Sequence, residues 1–255
     1  MRLNASTARR RALVRCKPLL VVTLAMALCA VPALADNIFE YIGVDDGAPV
    51  TGPFPASSLA QAMFLASAKN IGPINTITFE TTALGFQKEF IPAPGVTVDL
   101  DAPDLGPGYS GVSNFTFGNL NGFNVTPNGK NWLGFPQGTA TFTFDVPTQS
   151  FGFWLLGVQS TTTSLTVSFN DGQPQLLNAP INTMGGAAFF GFTDQGFPFS
   201  SVTITDLSDD DWGIDDVTYN TTPELGLPEP SSLVLLVSGV VGAGGALRRK
   251  KKERS

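Results

Sequence analysis

The side chains of this chain that are best suited to chemistry are carboxylates. Glu80 closes the stretch Thr-Phe-Glu at 78–80, and Asp215 and Asp216 lie in the stretch Gly-Ile-Asp-Asp-Val at 213–217. If these stretches pair as neighbouring strands, their carboxylates meet and repel unless a cation lies between them. Oxygen ligands without imidazole or thiolate favour Ca²⁺. The residues predict a structural calcium site, and exposed strand-end carboxylates are the alternative.

Other catalytic chemistries are restricted by what the chain lacks. It has no histidine, and its two cysteines, Cys16 and Cys29, lie near the N-terminus. Ser-His-Asp and Cys-His catalytic sites and imidazole-based zinc sites are therefore excluded. A glycosidase that uses two carboxylates stays open, because the separation of such a pair is decided in three dimensions.

Tryptophans are the second group of candidate binding residues. Trp132 follows the polar stretch 129–131, and Trp212 follows three consecutive aspartates at 209–211. An exposed indole can stack on a sugar ring, so we predict that Trp132 and Trp212 bind glycans, with packing in the core or at its rim as the alternative for Trp132. Trp154 lies in an apolar stretch and is expected in the core.

The elements that must position these residues are mostly strands. Apolar and polar residues alternate with period two over 74–80, 141–146, 165–169, 202–205 and 212–219. The stretch 150–157 is apolar on both faces, which predicts a central strand covered on both sides. About nine short strands joined by Gly- and Pro-rich turns predict an all-β fold, an antiparallel jelly-roll-like β-sandwich over residues 36–222.

One helix is predicted, over residues 57–69, where good helix formers follow two serines. Leu59, Met63 and Ala66 fall on one face of this helix. We expect that face to pack on the core, and a helix used for binding is the alternative.

The N-terminal 35 residues have the pattern of a secretory signal peptide. Six basic residues lie in this stretch, an apolar run follows them, and Ala33 and Ala35 provide a small-x-small cleavage site. The part that would remain, residues 36–228, has three Lys against 15 Asp and 4 Glu, a net charge of −16. So acidic a surface repels nucleic acid, and nucleic-acid binding is not expected.

The C-terminal stretch has three parts in order. The linker 223–230 ends in Pro228-Glu229-Pro230, residues 231–247 are uncharged and apolar, and residues 248–255 are strongly basic. Seventeen apolar residues are the lower limit for a single transmembrane helix, whose basic flank stays in the cytoplasm.

These three parts closely resemble the PEP-CTERM sorting signal of Gram-negative bacteria, also described as the C-terminal domain of ice-binding proteins. The N-terminal pattern predicts removal of the leader by signal peptidase. The C-terminal resemblance implies a transient inner-membrane intermediate that an exosortase recognises and cleaves near Pro228-Glu229-Pro230. It also implies delivery to the cell surface or extracellular matrix, often beside exopolysaccharide. A permanent membrane anchor is the alternative.

The central domain is similar to the sandwich that often carries such tails, in the stretches 123–135, 139–158 and 201–219. The pairing of Glu80 with Asp215 and Asp216 resembles that of carbohydrate-binding jelly rolls, in which such residues share a structural calcium. We therefore expect a non-enzymatic surface or matrix protein. A carbohydrate-binding module with structural calcium and a carboxylate-based glycosidase are the alternatives.

Overall fold

The structure is a computed structural model that describes residues 38–106, 109–160, 166–169, 175–195, 198–208 and 210–221. The predicted signal peptide, the linker with its Pro-Glu-Pro motif, the predicted transmembrane helix and the basic tail lie outside these residues. Within them, no helix is long and apolar enough to cross a membrane.

The described residues form thirteen strands and one helix, α1, over Pro55–Ile71. The strands are β1 (Ile38–Asp46), β2 (Ile74–Ile77), β3 (Glu89–Ala93), β4 (Val96–Asp101), β5 (Gly111–Ser113), β6 (Trp132–Phe135), β7 (Gly138–Thr148), β8 (Ser150–Leu156), β9 (Thr166–Phe169), β10 (Gln175–Asn178), β11 (Gly186–Asp194), β12 (Phe199–Asp206) and β13 (Trp212–Asn220).

The strands form two antiparallel sheets. One has the order β1-β11-β8-β13-β6-β5, with β2 also paired to β13, and the other has the order β10-β9-β12-β7-β4-β3. The prediction of an all-β fold with antiparallel strands is confirmed. Strands β1, β3, β4, β5 and β6 were not expected from the sequence.

The main core contains side chains from both sheets. Strand β7 alternates as predicted, with Ala140, Phe142 and Phe144 buried, and the Phe142 and Phe144 rings lie 5.4 and 6.0 Å from the ring of Phe151 on β8. Every residue of β8 is buried. The predicted double cover of this strand is confirmed, because its alternate residues belong to the main core and to a second cluster beneath α1.

Helix α1 packs on the outer face of the β1 sheet. Its first turn is held by Asp45 of β1, whose carboxylate accepts the main-chain N–H groups of Ala56 (3.0 Å) and Ser57 (2.8 Å). An acidic acceptor at a helix N-terminus is stabilising because it satisfies free N–H groups and faces the positive end of the helix dipole.

The face of α1 that packs is not the face predicted from the sequence. The buried residues are Ser57, Ala60, Phe64 and Ala68. Leu59 and Met63 are 64% and 57% exposed, and Ala66 is exposed with them. The expectation that Leu59, Met63 and Ala66 pack on the core was therefore wrong. Small residues on the packed face let the helix approach the sheet closely. At Gly43 of β1 the approach leaves no room for a side chain, because a Cβ there would lie 2.2 Å from the Ala56 carbonyl oxygen.

Candidate functional site

The pairing of β2 with β13 brings the three predicted carboxylates together. Val217 pairs with Ile77, so Glu80, just beyond β2, lies beside Asp215 and Asp216. The charge of Glu80 acts on Asp216, and the charge of Asp216 acts on Asp215. The predicted meeting of the 78–80 and 213–217 stretches is thus present in the structure.

A distortion of β13 turns both aspartates toward the same loop. The register of β13 against β8 shifts between Asp215 and Thr218, and Asp216 has φ of 46°. Consecutive residues of a regular strand point to opposite faces, whereas a bulge redirects one of them. Phe79, next to Glu80, also has positive φ, at 60°. Such conformations of non-glycine residues cost about 1–3 kcal/mol each and are kept where surrounding contacts hold them.

Asp215 is fully buried and accepts hydrogen bonds from the loop that opposes it. Its Oδ2 accepts the main-chain N–H groups of Val125 (2.8 Å) and Thr126 (3.2 Å) and the side-chain amide of Asn124 (3.2 Å). Its Oδ1 accepts the N–H of Asp216 at 2.8 Å. The loop at 124–131 is therefore held to β13 through one carboxylate.

Glu80 holds the other end of the 124–131 loop. Its Oε1 accepts the main-chain N–H groups of Lys130 and Asn131, both at 2.7 Å, and the side-chain amide of Asn124 at 3.3 Å. The Asn124 amide thus bridges Glu80 and Asp215. The loop folds around two carboxylates instead of leaving them free in a cleft.

The pKa of Asp215 is raised well above its usual value, because burial disfavours its charged form and the neighbouring Asp216 adds repulsion. The pKa of Asp216 is also raised, by burial first and by the charge of Glu80. Thr126 Oγ1 donates to Asp216 Oδ1 at 2.6 Å and lies 3.4 Å from both oxygens of Asp215. The Thr126 hydroxyl has one hydrogen, which it donates to Asp216, so toward Asp215 it can only accept. A protonated Asp215 can supply the hydrogen for that second bond.

This arrangement does not fit a calcium ion. Calcium takes six to eight oxygen ligands, whereas the partners of Glu80 and Asp215 are predominantly N–H donors, which repel a cation. In the part of the chain that the structure describes, no group of three or more acidic residues is placed to hold a metal ion. Calcium at Glu80, Asp215 and Asp216 stays a prediction from the sequence that these contacts do not favour.

Trp132 is buried, with 1% of its surface exposed, so it cannot stack on a sugar in this structure. Its ring lies between two glycines, because a Cβ on either Gly122 or Gly213 would approach it to 2.5 Å. Its Nε1 donates to the Phe115 carbonyl oxygen at 2.7 Å. The prediction that Trp132 contacts glycan was wrong, and the alternative of core packing is the correct one.

Trp212 is likewise 1% exposed. It packs in the main core, and its Nε1 donates to Asp206 Oδ2 at 2.5 Å. Both indole N–H groups find acceptors inside the fold, the Phe115 carbonyl oxygen for Trp132 and the Asp206 carboxylate for Trp212, so the polar residues beside them in sequence do not mark exposed rings. The prediction of glycan contact at Trp212 was therefore also wrong. Trp154 is buried as expected.

Two residues at the centre of the site were missed by the sequence analysis. Asn124 and Thr126 link the carboxylates, yet single Asn and Thr residues in a Gly-rich loop give no signal by themselves. The signal that could have been used is the uncharged stretch 105–129, which lies between Asp104 and Lys130 and contains five Asn residues.

The remaining predicted site residues lie outside the described residues. They are the sorting motif Pro228, Glu229 and Pro230 and the signal-cleavage residues Ala33 and Ala35.

Comparison with known proteins gives little further information. No protein-family model matches the chain, and no curated protein matches it. Among solved structures, the enzymatically active domain of tailspike protein 4 from bacteriophage CBA120 is similar to part of the chain, with 16% identity and a TM-score of 0.27. The match covers 59% of this chain and 19% of that one. A similarity at this level supports no conclusion about activity.

Proposed function

We propose that this chain is an exported, non-enzymatic protein of the cell surface or extracellular matrix of a Gram-negative bacterium. Its C-terminal stretch is a PEP-CTERM sorting signal that an exosortase cleaves near Pro228-Glu229-Pro230. The observation that carries the proposal is the order of the motif, the apolar stretch 231–247 and the basic stretch 248–255, in a chain that begins with a signal-peptide pattern.

The contacts of the acidic cluster support the non-enzymatic part of the proposal. A carboxylate that acts as a nucleophile, acid or base must reach substrate. Asp215 is fully buried, and the Oε1 atom of Glu80 is an acceptor for two main-chain N–H groups. These two carboxylates hold a loop. Association of the domain with exopolysaccharide follows from the destination that the sorting signal implies.

The sorting proposal is tested by intact-mass spectrometry of the protein recovered from its native host. We expect the wild-type chain in the matrix fraction to begin near Asp36 and to lack residues 231–255. A variant with Pro228, Glu229 and Pro230 all changed to Ala should keep its C-terminus and stay with the inner membrane.

Glu224→Ala is the matched control, because it changes a nearby linker carboxylate outside the motif. It should be processed as the wild type is. Recovery of wild-type protein from the matrix with residues 231–255 still attached would contradict cleavage, and a full-length chain held in the membrane would support the permanent anchor.

A further inference from the structure

We propose that the exported domain binds a neutral polysaccharide through a row of three aromatic rings, Tyr109, Phe115 and Phe117, which we name the aromatic row. The rings lie at the β5–β6 edge of the seven-stranded sheet, in the connections before and after β5. The ring centroids of Tyr109 and Phe117 are 5.0 Å apart, and those of Phe115 and Phe117 are 6.1 Å apart. The inference rests on the proposed function in one respect, since sorting to the cell surface or matrix is what would bring the protein into contact with polysaccharide.

The aromatic row is open to solvent, unlike the two tryptophans. Phe115 is 56% exposed, Tyr109 is 38% exposed and Phe117 is partly buried between them. Isolated exposed apolar residues are common on protein surfaces, but contiguous ones mark interaction sites. Leu105 and Leu120 are exposed as well and belong to the same two connections.

The row is also held in place from below. Buried Trp132 lies 6.3 Å from Phe117, edge to face, and donates to the main-chain oxygen of Phe115. Ser113 Oγ accepts the N–H of Phe115 at 3.1 Å, and the N–H of Phe117 is bonded to the Gly122 carbonyl oxygen. A surface whose backbone is already fixed loses little conformational entropy when it binds. Trp132 therefore acts as a support for the rings that are exposed.

The chemistry around the row favours a neutral polysaccharide as its partner. No residue from 105 to 129 carries a charge, while the stretch 36–228 has a net charge of −16. Asn114 and Thr116, the sequence neighbours of Phe115, are exposed, so uncharged amide and hydroxyl groups are available on the same segment. Aromatic faces pack against the apolar faces of sugar rings and neighbouring polar groups bond their hydroxyls. An anionic polysaccharide would be repelled by the rest of the domain.

The test uses the full-length chain in a detergent whose head group is not a sugar. Affinity electrophoresis measures its retardation in gels that contain a soluble neutral β-glucan, a neutral mannan or, as the anionic comparison, alginate. We expect retardation by at least one neutral polymer and none by alginate. Tyr109→Ala and Phe115→Ala should each raise the Kd about tenfold, because each removes one stacking ring.

Phe39→Ala is the matched control. It removes a phenyl ring of similar exposure, 49%, from β1 at the opposite edge of the same sheet, and it should leave the Kd unchanged. Melting temperatures of all variants should equal that of the wild type, since the replaced side chains are exposed. The proposal would be overturned if neither neutral polymer retarded the protein. It would also be overturned if Tyr109→Ala and Phe115→Ala both left binding to a neutral polymer unchanged, or if alginate retarded the protein more strongly than the neutral polymers did.

Failure of this inference is distinguishable from failure of the sorting proposal. A chain that is cleaved and recovered from the matrix but shows no retardation contradicts only the aromatic row. A chain that is retarded but never cleaved contradicts only the sorting signal.

Discussion

At the scale of single residues, the carboxylates of this domain serve the structure. Asp45 caps α1, Asp206 accepts the Trp212 indole N–H, and Glu80 and Asp215 accept the N–H groups of the 124–131 loop. A hydrogen bond to a charged carboxylate contributes about 1.5–3 kcal/mol net, and one to a neutral carboxyl contributes about 0.5–1.5 kcal/mol. Acidic residues are thus used where a loop or a helix end leaves main-chain donors unsatisfied.

The raised pKa of buried Asp215 predicts a stability that depends on pH. The folded state holds the proton more tightly than the unfolded chain does, so this residue contributes most stability below the ordinary aspartate pKa. The contribution is lost as pH rises from about 4 through the raised pKa. Asp215→Asn should remove a slope of up to about 1.4 kcal/mol per pH unit from that window, measured by urea unfolding at a series of pH values.

The control for this measurement is Asp101→Asn, which removes one exposed negative charge at the end of β4 and so corrects for the change in net charge. The Asp215→Asn variant is expected to be less stable in absolute terms, because its new amide hydrogens meet N–H donors. A slope identical to that of the wild type would show that Asp215 is charged when folded.

At the scale of elements, α1 shows how a pattern can be assigned to the wrong face. Leu59 and Met63 are large apolar residues at helical spacing, and they suggested the packed face. The helix instead buries Ala60 and Ala68 around Phe64, whose ring lies 5.9 Å from Tyr41 and 5.6 Å from Phe189. Because the sheet beneath the helix is already filled by aromatic rings, small residues and one phenyl group fit there.

The two faces of α1 are expected to respond differently to truncation. Phe64→Ala should lower the free energy of unfolding by about 3–5 kcal/mol, because it opens a cavity between the helix and the sheet. Met63→Ala, one position away on the exposed face, should change it by less than about 0.5 kcal/mol. Chemical denaturation of both variants checks this. A larger loss of unfolding free energy for Met63→Ala than for Phe64→Ala would show that the face predicted from the sequence is the packed one.

At the scale of the whole molecule, stability comes from two apolar layers and from the hydrogen bonds of the loops. The first layer lies between the sheets and the second lies beneath α1. Both cysteines of the chain, Cys16 and Cys29, lie within the predicted signal peptide, so disulfides are not expected to stabilise residues 36–222. A domain of this size can be stabilised by its core alone.

The calcium prediction is tested on the whole molecule. Since N–H donors lie against the Glu80 and Asp215 oxygens where a calcium ion would have to bind, we expect the melting temperature to be the same in 1 mM CaCl₂ and in excess EDTA, within about 1 °C. Differential scanning calorimetry measures it, with MgCl₂ as the control for ionic strength. A rise that is specific to calcium and is lost in Asp216→Asn would establish the site.

The sequence alone was sufficient for part of the strand pattern and for the candidate carboxylates, whereas β1, β3, β4, β5 and β6 were missed. Period-two alternation identifies strands such as β7 and β12, because the face that a strand residue occupies depends on its position along that strand. The full burial of β8 could be predicted because the stretch 150–157 is apolar on both faces. The pairing of the 74–80 stretch with the last strand was a condition of the calcium prediction, and the structure shows that pairing. The resemblance of the C-terminal stretch to a PEP-CTERM signal also depends only on the linear order of residues.

Only the tertiary structure decided which polar and aromatic residues are exposed. Trp132 and Trp212 have the same polar neighbours in sequence that an exposed tryptophan would have, yet both rings are buried and their indole N–H groups bond acceptors elsewhere in the fold. The carboxylates of Glu80 and Asp215 are satisfied by a loop about 45 to 90 positions away in the chain. Exposure and hydrogen-bond partners depend on contacts between distant segments, and no local pattern records which segments will meet.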